Sequence, residues 1–151
     1  MYESGECDLS IIHSCLEEVQ GYDLDVKGKV FVIKSTVVPG TTEDLKNKFP
    51  EFSFVFNPEF LTERKARLDF INTARIVLGG PIDSVEIVEG LYRNRFPHTK
   101  IIKTDYRTAE MIKYMCNCFF ATKVSFMNEM KQISDALECD WNNAVEGFII
   151  C

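Results

Sequence analysis

Apolar residues recur along the first two thirds of the chain with two different periods. One set is spaced three or four residues apart and predicts a short amphipathic helix that ends near Gly21; it consists of Leu9, Ile12, Leu16 and Val19. Compact apolar runs predict buried strands at 29–34, 52–56, 75–79 and 100–103. Further helices are predicted at 41–49, where Thr41 and Asp44 form a capping-box-like start, and at 84–93. Strands alternating with helices indicate a doubly wound α/β fold with a parallel sheet.

The pattern changes after Asp105. The segment 107–137 contains neither Pro nor Gly, and a set of mostly apolar residues steps by three or four along it; these residues are Met111, Met115, Phe119, Thr122, Phe126, Met130 and Ile133. The spacing predicts one helix longer than most globular helices, of the kind that joins domains or forms an oligomer seam. Asp140 predicts a cap for a further short helix through Val145. We therefore divide the chain into residues 1–104 and 105–151.

One feature is unusual for a complete nucleotide-binding domain. Such a sheet normally opens with a strand followed by a glycine-rich phosphate loop. This sequence opens with a predicted helix and contains no G-x-G-x-x-G motif. We therefore expect the first part of the fold to be missing, so that the chain holds the C-terminal part of a Rossmann-like sheet, followed by the long helix.

Charge and cysteine content exclude several functional classes. The chain has 17 basic against 23 acidic residues, a net charge of −6, which disfavours sequence-independent nucleic-acid binding. No apolar stretch approaches the roughly 20 residues needed to cross a bilayer, and the polar start at Met1–Ser10 does not resemble a signal peptide. The six cysteines fit free thiols in a reduced, cytoplasmic setting, and we find no metal-ligand spacing.

Two polar stretches follow predicted strands, at the edge of the sheet where α/β ligands bind. The hydroxyls of Ser35 and Thr36 can bond a cofactor or a water, or they can simply satisfy loop backbone groups. Glu59 and Glu63 lie four residues apart and share one face if their segment is helical. In a cleft one carboxylate can act as a general base and the other can bind a ribose, whereas on a surface both are solvated.

Two more stretches carry charge. Lys113 and Asn117 are one turn apart on the long helix, with Glu110 one turn before, and an ammonium with an amide can hold a developing oxyanion. A solvent-exposed stripe is the plainer interpretation. The cluster 63–67 can attract an anionic ligand or form ordinary wet surface. These patterns leave the reaction itself undecided.

Four segments in order along the chain resemble the UDP-glucose/GDP-mannose dehydrogenase family. They are Lys34–Thr42, Asn57–Glu63, Arg75–Gly80 and Ala109–Asn117, the last continued by Phe126–Glu129. The resemblance implies a Rossmann-like NAD-binding domain over 1–104, and a long helix leading into a helical central dimerisation domain over 105–151. It also implies a cytoplasmic homodimer whose cofactor is NAD and whose substrate is a nucleotide sugar such as UDP-glucose. The sugar's primary alcohol would be oxidised twice, through a cysteine thioester, to the uronic acid.

The resemblance also assigns roles to single residues. Thr36 would lie beside the nicotinamide and bond a catalytic water, next to Ser35, which also belongs to the cofactor site. Glu59 would be the general base of thioester hydrolysis, and Glu63 would bond the cofactor. The backbone of Phe60 and Leu61 would contact the substrate. Lys113 would stabilise the oxyanion, with Asn117 beside it.

The sequence departs from the family pattern in three places. The glycine-rich phosphate loop and the glycine-rich motif around the catalytic cysteine are both absent, so we assign Cys151 no catalytic role and expect this chain alone to be inactive. Arg64 stands where the family usually has a small residue. An inactive remnant that retains a helical dimerisation module is one alternative. Another NAD-dependent dehydrogenase with a long helix is a second, which the stretch Asn57–Glu63 disfavours.

Overall fold

The structure is a computed structural model that describes residues 7–22, 25–26 and 28–150. The chain divides into two compact units, Met1–Tyr114 and Met115–Cys151, and the longest helix belongs to both. Each unit is described by itself. Within the described ranges, no helix has both the length and the apolar character required to cross a membrane.

The first unit alternates helices and strands, as the sequence predicted. Its helices are α1 (Ser10–Gly21), α2 (Thr41–Lys48), α3 (Ala66–Ile71), α4 (Ile82–Arg95) and the start of α5 (Tyr106–Ala136). Its strands are β1 (Val30–Ile33), β2 (Ser53–Phe56), β3 (Arg75–Gly79) and β4 (Lys100–Thr104). A 3₁₀ turn at Glu63–Lys65 precedes α3, and neither of these two elements was predicted.

The four strands form one sheet in the order β1-β2-β3-β4. β1 and β2 are parallel, as are β3 and β4, but β2 and β3 are antiparallel, with Phe56 opposite Gly79. The sheet is therefore mostly parallel, in agreement with the predicted fold class, and departs from the predicted parallel sheet at this junction. Parallel neighbours need a packed crossover, whereas α3 between β2 and β3 has no buried residue. An apolar run reveals that a strand is buried but not the direction in which it runs.

Side chains that alternate along the strands fill two separate cores. On one face, Phe54 and Phe56 of β2 pack with Phe49, Phe52 and residues of α1 and α2. On the other face, buried aliphatic residues of β2 and β3 pack against α4; this second cluster is Val55, Ile76, Leu78, Val85, Val88 and Phe96. Helices therefore cover both faces of the sheet, and only its edges remain for a ligand.

The start of α2 is capped by a residue far away in sequence. The predicted capping box is wrong, because the side chain of Thr41 donates instead to the carbonyl of Val38, at 2.7 Å. The carboxylate of Glu110 on α5 accepts from the backbone N–H groups of Gly40, at 2.6 Å, and Thr42, at 2.8 Å. It also accepts from the Thr42 hydroxyl, at 2.6 Å, and Glu110 is fully buried. This clamp fixes the loop after β1 to α5.

The first turns of α5 pack directly against the end of β3. A Cβ atom on Gly79 would lie 2.5 Å from the Cβ of Ala109 and 2.9 Å from the carbonyl oxygen of Asp105. Gly80, at φ +150°, leaves similarly little space beside Tyr106. The side chain of Asp105 accepts from the N–H and the hydroxyl of Thr108, and so caps the helix. The absence of side chains at two positions therefore sets how closely α5 approaches the sheet.

The second unit contains the remainder of α5 and α6 (Trp141–Ile149). The predicted cap is confirmed, since the side chain of Asp140 accepts from the N–H of Asn143. The helix extends four residues beyond the predicted end at Val145. Phe126 and Phe148 hold the two helices together, with ring centroids 6.2 Å apart. Most apolar side chains of this unit are nevertheless exposed; among them are Phe119, Phe120, Val124, Ile133, Leu137, Ile149 and Ile150.

Candidate active site

The parallel pairing of β1 and β2 brings two predicted polar loops to one edge of the sheet. Ile33 and Phe56, the last residues of the two strands, are register partners, so the loops at 34–40 and 57–62 both begin at that level. Lys34 and Asn57 confirm the proximity, because the ammonium donates to the amide oxygen at 3.2 Å. The candidate site is therefore built on neighbouring strand ends, where open α/β sheets bind ligands.

Asn57 anchors the second loop to the sheet. Its side chain is buried and donates to the carbonyl of Val77 at 2.9 Å, while its backbone N–H donates to Ile33 at 2.9 Å. The hydroxyl of Tyr92, from α4, donates to its amide oxygen. A buried amide whose donor and acceptor are both bonded is held in one orientation. The loop that carries Glu59 therefore starts from a rigid point.

Glu59 and Lys113 meet at this edge. The Lys113 ammonium donates to the backbone carbonyl of Glu59 at 2.5 Å. The carboxylate of Glu59 instead pairs with Lys34, with Nζ and Oε1 3.2 Å apart, and is half-exposed. The two residues are therefore in contact, and the contact uses the backbone oxygen of Glu59 and not its carboxylate. A carboxylate and an ammonium near one small volume are the groups needed for base and oxyanion chemistry.

Ser35 and Thr36 lie in the loop directly after β1 and are both exposed. Thr36 is two residues from Lys34, whose side chain reaches Glu59, so the hydroxyls and the carboxylate belong to the same edge of the sheet. Farther along this loop, the Glu110 clamp holds Gly40 and Thr42. The loop is therefore attached at both ends, with the two hydroxyls between the attachments.

Phe60 is held between two cations. The guanidinium of Arg75 lies 4.3 Å from the centroid of its ring, and the Lys113 ammonium lies 5.4 Å from the same point. Arg75 reaches this position because β3 runs antiparallel to β2, which places the start of β3 beside residues beyond Phe56. Each such contact contributes roughly 0.5–1 kcal/mol at an exposed site. Half-buried Leu61 follows Phe60, so its backbone is restrained as well.

Glu63 occupies a different setting from Glu59. Residues 57–62 are not helical, and Thr62 has an extended backbone (φ −92°, ψ 140°), so the two carboxylates do not share a helix face. Asp69 orders this turn by accepting from the N–H and the hydroxyl of Thr62, and these hydrogen bonds lower the pKa of the Asp69 carboxyl. Glu63 and Arg64 are exposed, in agreement with the plainer interpretation of the charged cluster at 63–67.

The three polar residues predicted to share one stripe of α5 have different surroundings in the structure. Glu110 is turned inward and caps α2, so it is neither a solvated residue nor a ligand group. Lys113 joins the site, whereas Asn117 is exposed and belongs to the second unit.

Sequence reasoning missed Lys34, Asn57, Arg75 and Tyr92 as parts of the site. For two of them a signal existed, since Lys34 is the last residue of one predicted strand and Asn57 directly follows another. Arg75 was hidden because it is the first residue of a strand thought to run parallel to its neighbours. Among the residues that the structure describes, Cys7, Cys15, Cys116, Cys118 and Cys139 form no disulfide, and Cys151 lies outside them.

Comparison with known proteins identifies the family and the fold. The NAD binding domain of the UDP-glucose/GDP-mannose dehydrogenase family matches residues 1–95, and the family's central domain matches residues 107–149. The chain belongs to the UDP-glucose/GDP-mannose dehydrogenase family. The matched NAD binding domain gives NAD as its cofactor.

Relatives within this dehydrogenase family agree in sequence and in structure. A UDP-glucose 6-dehydrogenase of Rickettsia bellii is 37% identical, over 95% of this chain and 34% of its own length. The structure of a GDP-mannose dehydrogenase from Pseudomonas aeruginosa matches 99% of this chain and 37% of its own, with TM-score 0.85 and 28% identity. The structure of a UDP-glucose dehydrogenase from Pyrobaculum islandicum matches 97% of this chain and 36% of its own, with TM-score 0.81 and 28% identity.

The chain spans only part of these dehydrogenases. It covers between 16% and 34% of the length of the first curated relatives that it matches. The α/β fold with a long helix is therefore common to this chain and the family, whereas catalysis by the whole protein has to be argued from the site.

Proposed function

We propose that this chain is part of an enzyme that oxidises the primary alcohol of a nucleotide sugar, of the UDP-glucose type, to a carboxylate. The observation that carries the proposal is the convergence of Glu59 and Lys113 at the edge that also holds Ser35 and Thr36. Family membership supports the same reaction class.

The proposed oxidation removes four electrons in two steps. NAD would supply the hydride acceptor, one molecule for each step. The first hydride would leave the alcohol carbon, and the second would leave the carbon of the thiohemiacetal that a cysteine thiol forms with the aldehyde, each time with loss of a hydroxyl proton. The second step leaves a thioester, and a water molecule then adds to its carbonyl carbon. The C–S bond breaks, the thiol recovers a proton, and the uronic acid leaves as its carboxylate. We assign the thiol to the family's glycine-rich motif, to which none of the six cysteines belongs.

This chain would supply the base and the oxyanion stabilisation. Glu59 accepts the proton of the attacking water, and its partial exposure leaves room for that water. The Lys113 ammonium, which donates to the Glu59 carbonyl in this structure, stabilises the oxyanion of the tetrahedral intermediate. Thr36 bonds the water. The backbone of Phe60 and Leu61 contacts the sugar nucleotide, and the two cations at the Phe60 ring hold this backbone in place.

The residues present fit NAD as the cofactor. The exposed hydroxyls of Ser35 and Thr36 at a strand end suit the polar amide and ribose groups of a dinucleotide, and the exposed carboxylate of Glu63 suits a ribose hydroxyl. Arg64 beside Glu63 is also exposed, which leaves its side chain free to turn toward solvent.

We also propose a cytoplasmic homodimer formed through the helical region. The second unit exposes a large apolar surface on α5 and α6, and single soluble chains rarely leave so much uncovered. The exposed side chain of Phe119 lies on the predicted seam, and the neighbouring Phe120 is also exposed. Sedimentation at rising concentration tests this, and a clean monomer throughout would contradict it.

The experiment for the reaction follows NADH absorbance with UDP-glucose, UDP-N-acetylmannosamine or GDP-mannose. It compares this chain with the protein encoded by its complete reading frame. We expect turnover by the complete protein and little or none by the chain alone. Glu59→Gln should slow turnover by about 10²- to 10⁴-fold, as expected for loss of a general base. Lys113→Met should slow it by about 10²- to 10³-fold.

The control is Glu17→Gln, which removes a surface carboxylate paired with Lys48, far from the site in sequence. It should leave turnover unchanged. Robust turnover by this chain alone would show that the nucleophile has been misplaced. A complete protein that is inactive with all three sugars would refute the proposed reaction.

The second candidate is a non-enzymatic dimerisation module. The exposed apolar residues of the second unit favour it. A complete reading frame that lacks both the glycine-rich loop and the cysteine motif, together with dimers of this chain in sedimentation, would select it over the enzyme.

A further inference from the structure

Lys34 is held by three oxygen atoms although its side chain is partly exposed. Its ammonium lies 3.2 Å from Oδ1 of Asn57, 3.5 Å from the hydroxyl of Tyr92 and 3.2 Å from Oε1 of Glu59. A lysine ammonium has three N–H donors, so these three acceptors match its full capacity. A flexible side chain with three such contacts is directed to one place.

Two of the three acceptors are themselves fixed. Asn57 is 2% exposed and is bonded to Val77 through its side-chain amide, and Tyr92 donates to Asn57 from α4. Lys34 therefore transmits the rigidity of β2, β3 and α4 to the third acceptor. That acceptor, the Glu59 carboxylate, lies in an irregular loop and is otherwise unsupported, since Oε2 has no hydrogen-bond partner among residues 7–22, 25–26 and 28–150.

Stability does not explain this arrangement. The two side chains of this ion pair are 39% and 43% exposed, so solvent screens it and it contributes little net stability. Orientation is what the contact can supply, because a base must lie within hydrogen-bonding distance of its water. Lys113 already restrains the backbone of Glu59. The contact between Lys34 and the Glu59 side chain therefore determines which carboxylate oxygen is directed outward.

We propose that Lys34 is a positioning residue for Glu59: it holds Oε1 so that Oε2 accepts the proton of the water that cleaves the thioester. The inference rests on the proposed function. In that step the water oxygen bonds to the carbonyl carbon, the C–S bond breaks and the proton passes to Oε2. Lys34 touches neither the substrate nor the cofactor in this scheme, and its effect is confined to hydrolysis.

The test uses the complete protein with Lys34→Met, Lys34→Arg and, as a matched control, Lys103→Met. Lys103 pairs with Glu89 at 3.0 Å and is 40% exposed, so it resembles Lys34 without contacting Glu59. If hydrolysis becomes the slow step, rapid mixing should show a burst of two NADH per site followed by a slow steady rate. We expect Lys34→Met to keep the burst while the steady rate falls by about 10²-fold, with partial rescue by Lys34→Arg.

Intact-mass measurement supplies an independent readout. Lys34→Met should accumulate the covalent sugar thioester during turnover, whereas the wild type and Lys103→Met should not. The double variant of Lys34→Met and Glu59→Gln should be no slower than Glu59→Gln alone, because both changes affect one function.

Three results would overturn the inference. They are an unchanged steady rate in Lys34→Met, a burst that disappears together with the steady rate, and multiplicative effects in the double variant. A wild type that forms no NADH from any of the three sugars refutes the proposed function, and the role of Lys34 with it. Turnover by the wild type combined with any of the three results refutes the role of Lys34 alone.

Discussion

Replacing Glu110 by glutamine tests whether a buried carboxylate holds the loop after β1 against α5. The substitution keeps the shape of the side chain but turns one acceptor oxygen into an NH₂ donor. In the wild type, Oε1 accepts from the N–H and the hydroxyl of Thr42, and Oε2 accepts from the N–H of Gly40. With the amide oxygen in the place of Oε1, the new NH₂ group faces the N–H of Gly40 and that hydrogen bond is lost.

The magnitude follows from the three hydrogen bonds. Loss of a bond to a charged acceptor costs roughly 1.5–3 kcal/mol. The two bonds to Thr42 remain but become neutral, and neutral bonds are about half as strong. The amide is easier to bury than a carboxylate, which offsets part of this loss, and Glu110 is fully buried. We expect Glu110→Gln to reduce the free energy of unfolding by about 3 kcal/mol.

Urea unfolding followed by far-UV circular dichroism measures this change. Glu17→Gln is the matched control, because the Glu17 carboxylate is exposed and contacts Lys48, the last residue of α2. Its loss should leave the unfolding curve nearly unchanged. Thr42→Val removes one donor of the clamp, and its effect should not add fully to that of Glu110→Gln. A Glu110→Gln variant within about 0.5 kcal/mol of the wild type would refute the clamp.

Two further predictions concern the start of α5. Gly79→Ala should reduce the free energy of unfolding by about 1–3 kcal/mol, because its Cβ would lie 2.5 Å from that of Ala109. Gly90→Ala is the control, and it should not destabilise the protein because the space around Gly90 is open. The midpoints of urea unfolding measure both changes. Hydrogen bonds from Thr108 lower the pKa of Asp105, so this carboxylate stabilises the fold above its unfolded pKa and loses the effect as pH falls through the lower, folded value. Unfolding measured from about pH 6 down to about pH 3 should therefore show a smaller loss of stability in Asp105→Asn than in the wild type, and equal losses would contradict this.

Much of the fold was predictable because burial and periodicity are local signals. The predicted bounds of β3 match the observed Arg75–Gly79, and α5 was placed within one residue at each end. The features that were not predicted depend on residues that are distant in the sequence. The cap of α2 comes from Glu110, about seventy residues away, and no local pattern at Thr41 reveals it. The direction of β3 depends on its neighbour in the sheet and not on its own sequence.

The candidate site was predictable only in part, for the same reason. The strand-end rule located Thr36 and Glu59, and helical spacing located Lys113. Spacing does not reveal which atom makes a contact, and Lys113 in fact reaches a carbonyl oxygen. Arg75 reaches the site because β2 and β3 are antiparallel, and the spacing of apolar residues does not reveal the direction of a strand.

The close packing of α5 against Gly79 limits which substitutions this part of the protein can accept during evolution. Every substitution at position 79 adds side-chain atoms where the packing leaves no room for them, so each one makes the residue larger and strains the contact with α5. A second mutation can remove the methyl group of Ala109 only by introducing glycine, and the carbonyl oxygen of Asp105 would still lie 2.9 Å from the new Cβ. Glycine within a helix costs about 1 kcal/mol relative to alanine, so the rescued protein would still be less stable than its ancestor.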